Sequence, residues 1–380
     1  MRYSNKLLLF KLIVFALPFV LFLLLDAFLL PLTLFTFRAW EALKVGTFYP
    51  TLTGPFYPNQ SIDVTEQGEL APYTPYAEPK RNVWITDAYG YRNLPTQGRA
   101  DILLLGDSFS AGVKLDQSEL LSVVLGDKIG QPVYNMAPAP GDFTLMDNFL
   151  ATDRFRQSPP KLVILQRNEG FLHLMQPINP ADIAFIRMVH QRAARLPRGS
   201  AFNAVAIGMD RFQKRNWYHW ASSKMDRAIQ PKELIVHGNE VFMFGDTINN
   251  PTPPAELDRL TRVVISYRDT LQKMGIAFVF VPTPNKENIY YQLLPSRQKP
   301  VLLTGLIERL RVAGVPVVDL QTPFDSAHAA GVRLYPPDDN HWNPQAVRIA
   351  AGKVQQVIQA MLKKQEGIPP GHGLPVKLRR

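Results

Sequence analysis

From Leu7 to Phe37 the chain is almost wholly apolar, broken mainly by Lys11, Pro18, Asp26 and Pro31. Residues 12–25 carry no charge, and the run 12–30 spans 19 residues. A bilayer core needs about 20 residues of helix, so one transmembrane helix is predicted over 12–30. Arg2, Lys6 and Lys11 precede it. The positive-inside tendency then keeps residues 1–11 in the cytoplasm and puts the rest outside, on the periplasmic side in a Gram-negative cell. A cleaved signal peptide is the rival reading, but no small-x-small site follows and the run is long for a signal core. A buried core helix is the other rival. Past residue 95 the pattern changes to short Val/Ile/Leu-rich runs alternating with longer helical stretches. Strands are predicted at Ile102–Leu105, Pro132–Met136, Leu162–Leu165, Ala277–Val281 and Val315–Leu320. Helices are predicted at Ser118–Ile129, Phe143–Phe155, Ala255–Lys273, Leu302–Val312 and Pro344–Lys363. Strands each followed by a helix predict an α/β fold, a mainly parallel five-stranded sheet covered on both faces.

Residues 31–94 are rich in Pro and Tyr without sustained periodicity. They predict a linker that becomes an ordered lead-in, ending in a strand-like piece at Trp84–Arg92 with a turn at Gly90. About 85 residues separate the third strand from the helix at Ala255, far more than a usual βα loop. An insertion over 172–254 is therefore expected, with a hairpin (Glu233–Val236 and Glu240–Phe244) turning at His237-Gly238-Asn239. Its expected place is over the carboxyl ends of the strands, where open α/β sheets bind ligands. Residues 366–380 predict a disordered tail.

Composition narrows the chemistry. The chain has no cysteine, which removes disulfides, zinc–thiolate sites, iron–sulfur clusters and cysteine nucleophiles. No Gly-rich phosphate loop, metal-ligand cluster or dinucleotide fingerprint is present, so neither a cofactor nor a metal is expected. The net charge is +10, from 42 basic and 32 acidic residues. Ten Lys/Arg against three acids lie between Gln176 and Glu233. Nucleic acid ranks last as a partner, because this topology leaves those residues outside the cytoplasm. The segment reads either as a solvated helical surface or, more sharply, as a face on lipid headgroups or an anionic glycan.

Two motifs carry reactive groups. Gly106-Asp107-Ser108 directly follows the first strand, which holds the Ser108 oxygen at the sheet rim next to a helix start. Asp338-Asp339-Asn340-His341 follows the fifth strand, just before Pro344 opens the last helix. A serine becomes a useful nucleophile when a base takes its proton and an acid orients that base. His341 has a carboxylate two or three residues before it, which can reach one ring nitrogen and leave the other for Ser108. Adjacent like charges favour only one acid turning inward; Asp338 is preferred, with Asp339 as the alternative. The other six histidines read as ordinary surface or core residues. An oxyanion hole could be built from three strand-end donors: the Ser108 and Gly141 backbone N–H groups and the Asn168 amide.

This order of Gly-Asp-Ser, Gly141, Asn168 and Asp-x-x-His over residues 95–365 resembles the SGNH (GDSL-type) hydrolase superfamily. The resemblance implies a flavodoxin-like three-layer α/β/α sandwich that hydrolyses or transfers acyl esters. Ser108 would be the nucleophile, His341 the base, Asp338 the orienting acid, and Gly141 and Asn168 part of the oxyanion hole. A second likeness lies in Val281-Pro-Thr-Pro-Asn-Lys-Glu-Asn-Ile-Tyr290 through Pro295, together with Asp339-Asn-His-Trp342. These resemble the SGNH-like domains of alginate O-acetylation proteins, extracytoplasmic acetyltransferases of exported polysaccharides. Their acid sits in an Asp-x-His arrangement, which Asp339 would satisfy, but they carry it ahead of the serine. The third block also departs from the usual Gly-x-Asn-Asp, reading Gln166-Arg167-Asn168-Glu169. The expected protein is a membrane-anchored, extracytoplasmic serine esterase or acyltransferase acting on O-acyl, chiefly acetyl, esters of an envelope or exported glycan. A multi-span acyltransferase is the partner to look for. The alternative is a tethered glycan-binding or assembly module without activity.

Overall fold

The computed structural model describes residues 2–49, 54–95, 101–138, 145–195, 200–214, 216–229, 234–243 and 253–366. The chain opens with helix α1 (Arg2–Phe28), which runs through Pro18 without interruption. Its segment Asn5–Phe28, 24 residues with a mean hydropathy of 2.8, is long and apolar enough to cross a membrane. The short α2 (Ala39–Leu43) follows, then an antiparallel pair, β1 (Ser61–Glu66) and β2 (Lys80–Ile85).

The α/β part begins with β3 (Ile102–Leu105), α3 (Ser108–Ala111), α4 (Leu121–Ile129), β4 (Val133–Asn135), α5 (Leu145–Ala151), α6 (Asp153–Gln157) and β5 (Leu162–Asn168). Next come α7 (Pro180–Ala194), α8 (Ser200–Lys214), α9 (Asn216–Ile229) and the hairpin β6 (Leu234–His237) and β7 (Glu240–Met243). The chain then returns to the sheet through α10 (Pro254–Lys273), β8 (Ala277–Thr283), α11 (Lys286–Ile289), α12 (Leu302–Val312), α13 (Gln321–Ala329) and α14 (Pro344–Glu366).

Strands β4-β3-β5-β8 form one sheet, parallel throughout. Alternation along β3 and β5 sends successive side chains to opposite faces, and each face has its own core. Ile102, Leu104 and Ile164 pack with Leu121 and Leu125 of α4 and with Val347, Ala350 and Val354 of α14. Leu103, Leu105, Val163 and Leu165 pack with Phe149 of α5, Val264 of α10 and Leu306 of α12. Helices on both faces make the three-layer sandwich. Each fully buried leucine in it contributes roughly 1.5–3 kcal/mol of transfer free energy.

The expected fifth strand is not formed. Val315–Leu320 meets the sheet at one parallel bridge, Phe280 with Val317. Two bonds hold it: Phe280 N–H to Pro316 O (2.9 Å) and Val318 N–H to Phe280 O (2.8 Å). Pro316 has no N–H to extend the ladder.

The lead-in is bound tightly to the sandwich. The Arg92 side chain, 1% exposed, lies over the Trp84 ring at 3.7 Å. It donates to the carbonyls of Val83, Ala111, Gly112 and Leu115. Asn93 and Asn135 exchange hydrogen bonds, which extends the edge of β4 into the lead-in. The predicted tail after Glu366 lies outside the described residues.

Candidate active site

Ser108 is placed by the turn that leaves β3. A Cβ on Gly106 would lie 2.2 Å from Ser110 Oγ, so no larger residue fits there. Asp107 then caps α3, its Oδ1 accepting the Phe109 N–H at 3.0 Å. Its Oδ2 accepts the Asn168 N–H at 2.6 Å, which ties the Ser108 turn to the end of β5. As the first helical residue, Ser108 has a backbone N–H with no acceptor inside its own helix.

His341 arrives from the loop before α14. Its Nε2 is 2.8 Å from Ser108 Oγ, and its Nδ1 is 2.7 Å from Asp339 Oδ1. All three side chains are buried: Ser108 and His341 are 5% exposed and Asp339 is 1% exposed. The loop is fastened to the serine helix by Trp342, whose Nε1 donates to Phe109 O at 3.1 Å. The Phe109 ring lies 5.1 Å from the imidazole, centroid to centroid. Such a chain of hydrogen bonds can take a proton from the serine and stabilise the resulting imidazolium.

The preference for Asp338 is corrected by this geometry. Asp339, the alternative, faces the imidazole; Asp338 turns the other way into a fully buried ion pair with Lys114. Asp338 Oδ2 also accepts the Gly68 and Glu78 N–H groups, each at 2.8 Å. Its backbone carbonyl accepts the Leu70 N–H at 3.1 Å. The physical reason is reach. A carboxylate at the i−2 position folds back over a tight turn to both the N–H and the ring of His341, and Asp339 accepts both at 2.7 Å. Asp338 becomes the anchor that fastens the loop to the lead-in, and Gly68 has no room for a Cβ, which would sit 2.0 Å from Asp338 O.

Electrostatics follow. Burial alone would raise the Asp339 carboxyl, but His341 and Lys114 outweigh it and hold it below the usual carboxylate range. Burial alone would lower His341; Asp339 and Glu69 outweigh it and hold the imidazole above its ordinary 6.5. Glu69 stands 3.8 Å from His341 Nδ1, while its backbone N–H donates to Asp339 Oδ2 at 3.0 Å. Glu69, Asp339 and His341 would also satisfy the spacing of a metal site. The bond from His341 to Ser108 and the depth of Asp339 make the proton-transfer arrangement the better account of the same atoms.

The expected oxyanion donors fare differently. Asn168 caps the 3-10 turn Glu169–Leu174, its Oδ1 accepting the Gly170 N–H at 3.0 Å. Its Nδ2 is buried and has no hydrogen-bond partner. Gly141 lies outside the described residues. The altered third block does not obstruct the site. Gln166 is a fully buried brace, taking Asp107 N–H and Ser110 O–H on Oε1 and donating to Thr283 through Nε2. Arg167 points to the opposite face of β5, where its Nε donates to Phe171 O at 3.3 Å.

Three residues at the site had no role from sequence. Lys114 and Glu69 lie outside every motif, and nothing in their neighbourhood marks them. Lys286 sits inside the Pro-Asn-Lys-Glu-Asn run, which was a visible signal without a function. It is fully buried and donates to the carbonyls of Val241 (3.0 Å), Pro336 (2.9 Å) and Pro337 (2.7 Å). It thus clamps the acid loop to β7. Glu169 beside Asn168 is also buried, and desolvation pushes its carboxyl up to about 7 against the bonds from Asn288 and Asn285.

Residues 235–372 match the family model described as "SGNH hydrolase-like domain, acetyltransferase AlgX", so the second resemblance seen in the sequence has independent support. The match includes His341 and both aspartates and stops short of Ser108. No curated protein matches the sequence. Among solved structures, the chain is similar to a lipolytic protein of the G-D-S-L family from Veillonella parvula. They share 10% identity and a TM-score of 0.37, over 68% of this chain and 97% of that one. A lipase/acylhydrolase from Enterococcus faecalis gives 11% identity and a TM-score of 0.36, over 69% and 96%. A carbohydrate acetylesterase family member from Sinorhizobium meliloti gives 13% identity and a TM-score of 0.31, over 69% and 99%. Likenesses this distant decide nothing about the site.

Proposed function

We propose that the protein is a membrane-anchored serine enzyme that cleaves or transfers an O-acyl ester, with acetylated glycan as the substrate class and its site on the extracytoplasmic side. The observation that carries this is the continuous contact from Ser108 Oγ to His341 Nε2 (2.8 Å) and from His341 Nδ1 to Asp339 (2.7 Å). His341 in its neutral form takes the Ser108 proton as Oγ bonds to the ester carbonyl carbon, and the carbonyl oxygen becomes an anion. The Ser108 N–H and the unpartnered Asn168 Nδ2 are the described donors suited to receive that charge. Collapse breaks the ester C–O bond, and the imidazolium returns its proton to the departing alkoxide. A water or a sugar hydroxyl, deprotonated by His341 in turn, then attacks the acyl-enzyme and regenerates Ser108. Water gives an esterase and sugar gives an O-acetyltransferase.

The glycan part of the reading is supported by the family description of residues 235–372. The anchor is supported by the length and apolarity of α1. The buried, hydrogen-bonded triad favours catalysis over a binding-only module. The test is turnover of p-nitrophenyl acetate by the full-length protein and its Ser108→Ala variant. Turnover should fall by roughly 10³-fold or more, with loss of labelling by a fluorophosphonate probe. Equal turnover and labelling in the variant would exclude Ser108. Mass analysis with an added oligosaccharide acceptor separates transfer from hydrolysis.

A further inference from the structure

The insertion divides into two parts with opposite surroundings. The hairpin β6–β7 joins the site: the Val241 N–H donates to Pro337 O at 2.9 Å, and Phe242 is buried in a sheet-face core. Helices α8 and α9 instead meet the end of α1. Arg211 of α8, 8% exposed, pairs with the buried Asp26 at 3.1 Å. It also donates to the carbonyls of Leu30 (2.6 Å) and Pro31 (3.2 Å). Gly208, one turn earlier, faces the Phe28 ring, which a Cβ would meet at 2.5 Å. Trp217, at the start of α9, packs edge-on against Phe22 with centroids 5.8 Å apart.

The other side of α8 is fixed as firmly. Asp210 is fully buried and accepts the N–H groups of Gly46 (3.0 Å) and Phe48 (2.7 Å) and the hydroxyl of Tyr57 (3.1 Å). With Asp210 and Arg211 both held, the rotation of α8 about its axis is set. What it turns outward is apolar: Phe202, Val205, Met209 and Phe212 are 39%, 50%, 43% and 55% exposed. Their spacing of three, four and three places them on one face, opposite the buried Asp210 and Arg211. A helix facing water would put charged or polar residues there. Helix α7 repeats the pattern with Phe185, Met188 and Val189 exposed and Arg192 one turn on.

Depth explains the stripe. At 1.5 Å per residue the 24-residue span Asn5–Phe28 is about 36 Å long, against a hydrocarbon core of about 30 Å. The last turn of α1, which Arg211 and Gly208 grip, therefore lies at the membrane boundary on the side of the α/β domain. Trp217, packed on Phe22 about 9 Å along α1 from Phe28, extends this contact inward from the boundary. The exposed Arg192, Arg195 and Lys224 supply positive charge that suits anionic headgroups. We infer that α7 and α8 lie in the plane of the membrane interface, with the Phe202–Val205–Met209–Phe212 stripe buried among lipids beside α1. The domain then rests on the bilayer at a fixed attitude, as an interfacial amphipathic helix would hold it.

This inference rests on α1 crossing the bilayer and not on the chemistry of Ser108. The absence of native cysteine makes it testable in the full chain. Single variants Val205→Cys, Met209→Cys, Leu21→Cys and Val312→Cys carry a nitrobenzoxadiazole probe in vesicles of phosphatidylcholine and phosphatidylglycerol. Val312, 82% exposed at the end of α12, is the water reference. Doxyl-labelled lipid should quench positions 205 and 209 at least about twofold more than 312, with position 21 quenched as well. A thermal midpoint unchanged in the 205 and 209 variants shows that they are folded. Quenching at 21 with none at 205 and 209 would overturn the interfacial placement while leaving the anchor. No quenching at 21 would overturn the anchor and the inference with it. Protection of 205 and 209 only in native membranes, not in vesicles of the purified protein, would assign the stripe to a membrane protein partner and also overturn the inference.

Discussion

At the sheet rim, Ser108, Asp338, Asp339 and His341 are each no more than 5% exposed, and each has named hydrogen-bond or ionic partners. In α8 the polar Asp210 and Arg211 are buried, while Phe202, Val205, Met209 and Phe212 face outward. Both regions bury charge, and in both the buried charge fastens segments far apart in sequence. They differ in what that fastening presents. At the rim it presents the Ser108 hydroxyl to His341 in a buried setting, where each hydrogen bond counts for more than in water. In the insertion it presents apolar surface, which in water would be a liability and in a bilayer interface is a support.

The contrast is broken most severely by Ser108→Ala, which should lower ester turnover by roughly 10³-fold or more while leaving the thermal midpoint near that of the parent, since only one hydroxyl is lost. Next comes the pair of aspartates. Asp339→Asn should reduce kcat by roughly 10³–10⁴-fold, because the amide cannot hold the imidazolium. Its pH profile gives a second reading. Activity needs neutral His341, so the parent's rate should rise with pH through a limb above 6.5. Removing the Asp339 charge lowers the imidazole pKa and moves the residual activity's limb to lower pH. Glu69→Gln should move it the same way by less. A limb that stays in place in both variants would show that neither carboxylate acts on His341.

Asp338→Asn separates the two acids by a different measurement. It leaves Lys114 buried without its charge partner, and breaking one member of such a pair costs about 3–5 kcal/mol. Denaturant unfolding should show that loss, with activity falling as the folded fraction falls. A stable Asp338→Asn protein whose kcat falls by roughly 10³-fold or more, with its limb moved to lower pH, would return Asp338 to the acid role. Asn168→Ala should cost roughly 10²-fold in kcat with little change in KM, as expected for a donor used in the transition state. The smallest effect is expected in the insertion. Val205→Ser in detergent should alter unfolding free energy by no more than about 0.5 kcal/mol, because half of its surface is already exposed in the folded protein.

How much of this was legible beforehand can be read from particular residues. The apolar run of α1, the buried strands Ile102–Leu105 and Leu162–Leu165, and the pairing of a strand-end serine with a late histidine all follow from local pattern. Hydrophobic period and turn chemistry act over a few residues, so they survive in one dimension. Val315–Leu320 has the composition of a strand, yet it makes a single bridge, because a ladder also depends on the neighbour and on where Pro316 falls. Asp338 and Asp339 are indistinguishable by type and adjacent in the chain. Lys114, 224 residues away, takes one of them and so leaves the other to His341.

The sequence by itself therefore determined the layers, the long apolar helix α1 and the candidate set of Ser108, His341 and the two aspartates, since each depends on residue identity and short-range spacing. Tertiary structure alone decided which acid faces the imidazole, how the lead-in is fastened to the acid loop through Gly68, and which face of α8 turns outward. Those outcomes depend on buried charges meeting partners more than a hundred residues distant, and a buried charge takes whichever partner the packing brings within reach.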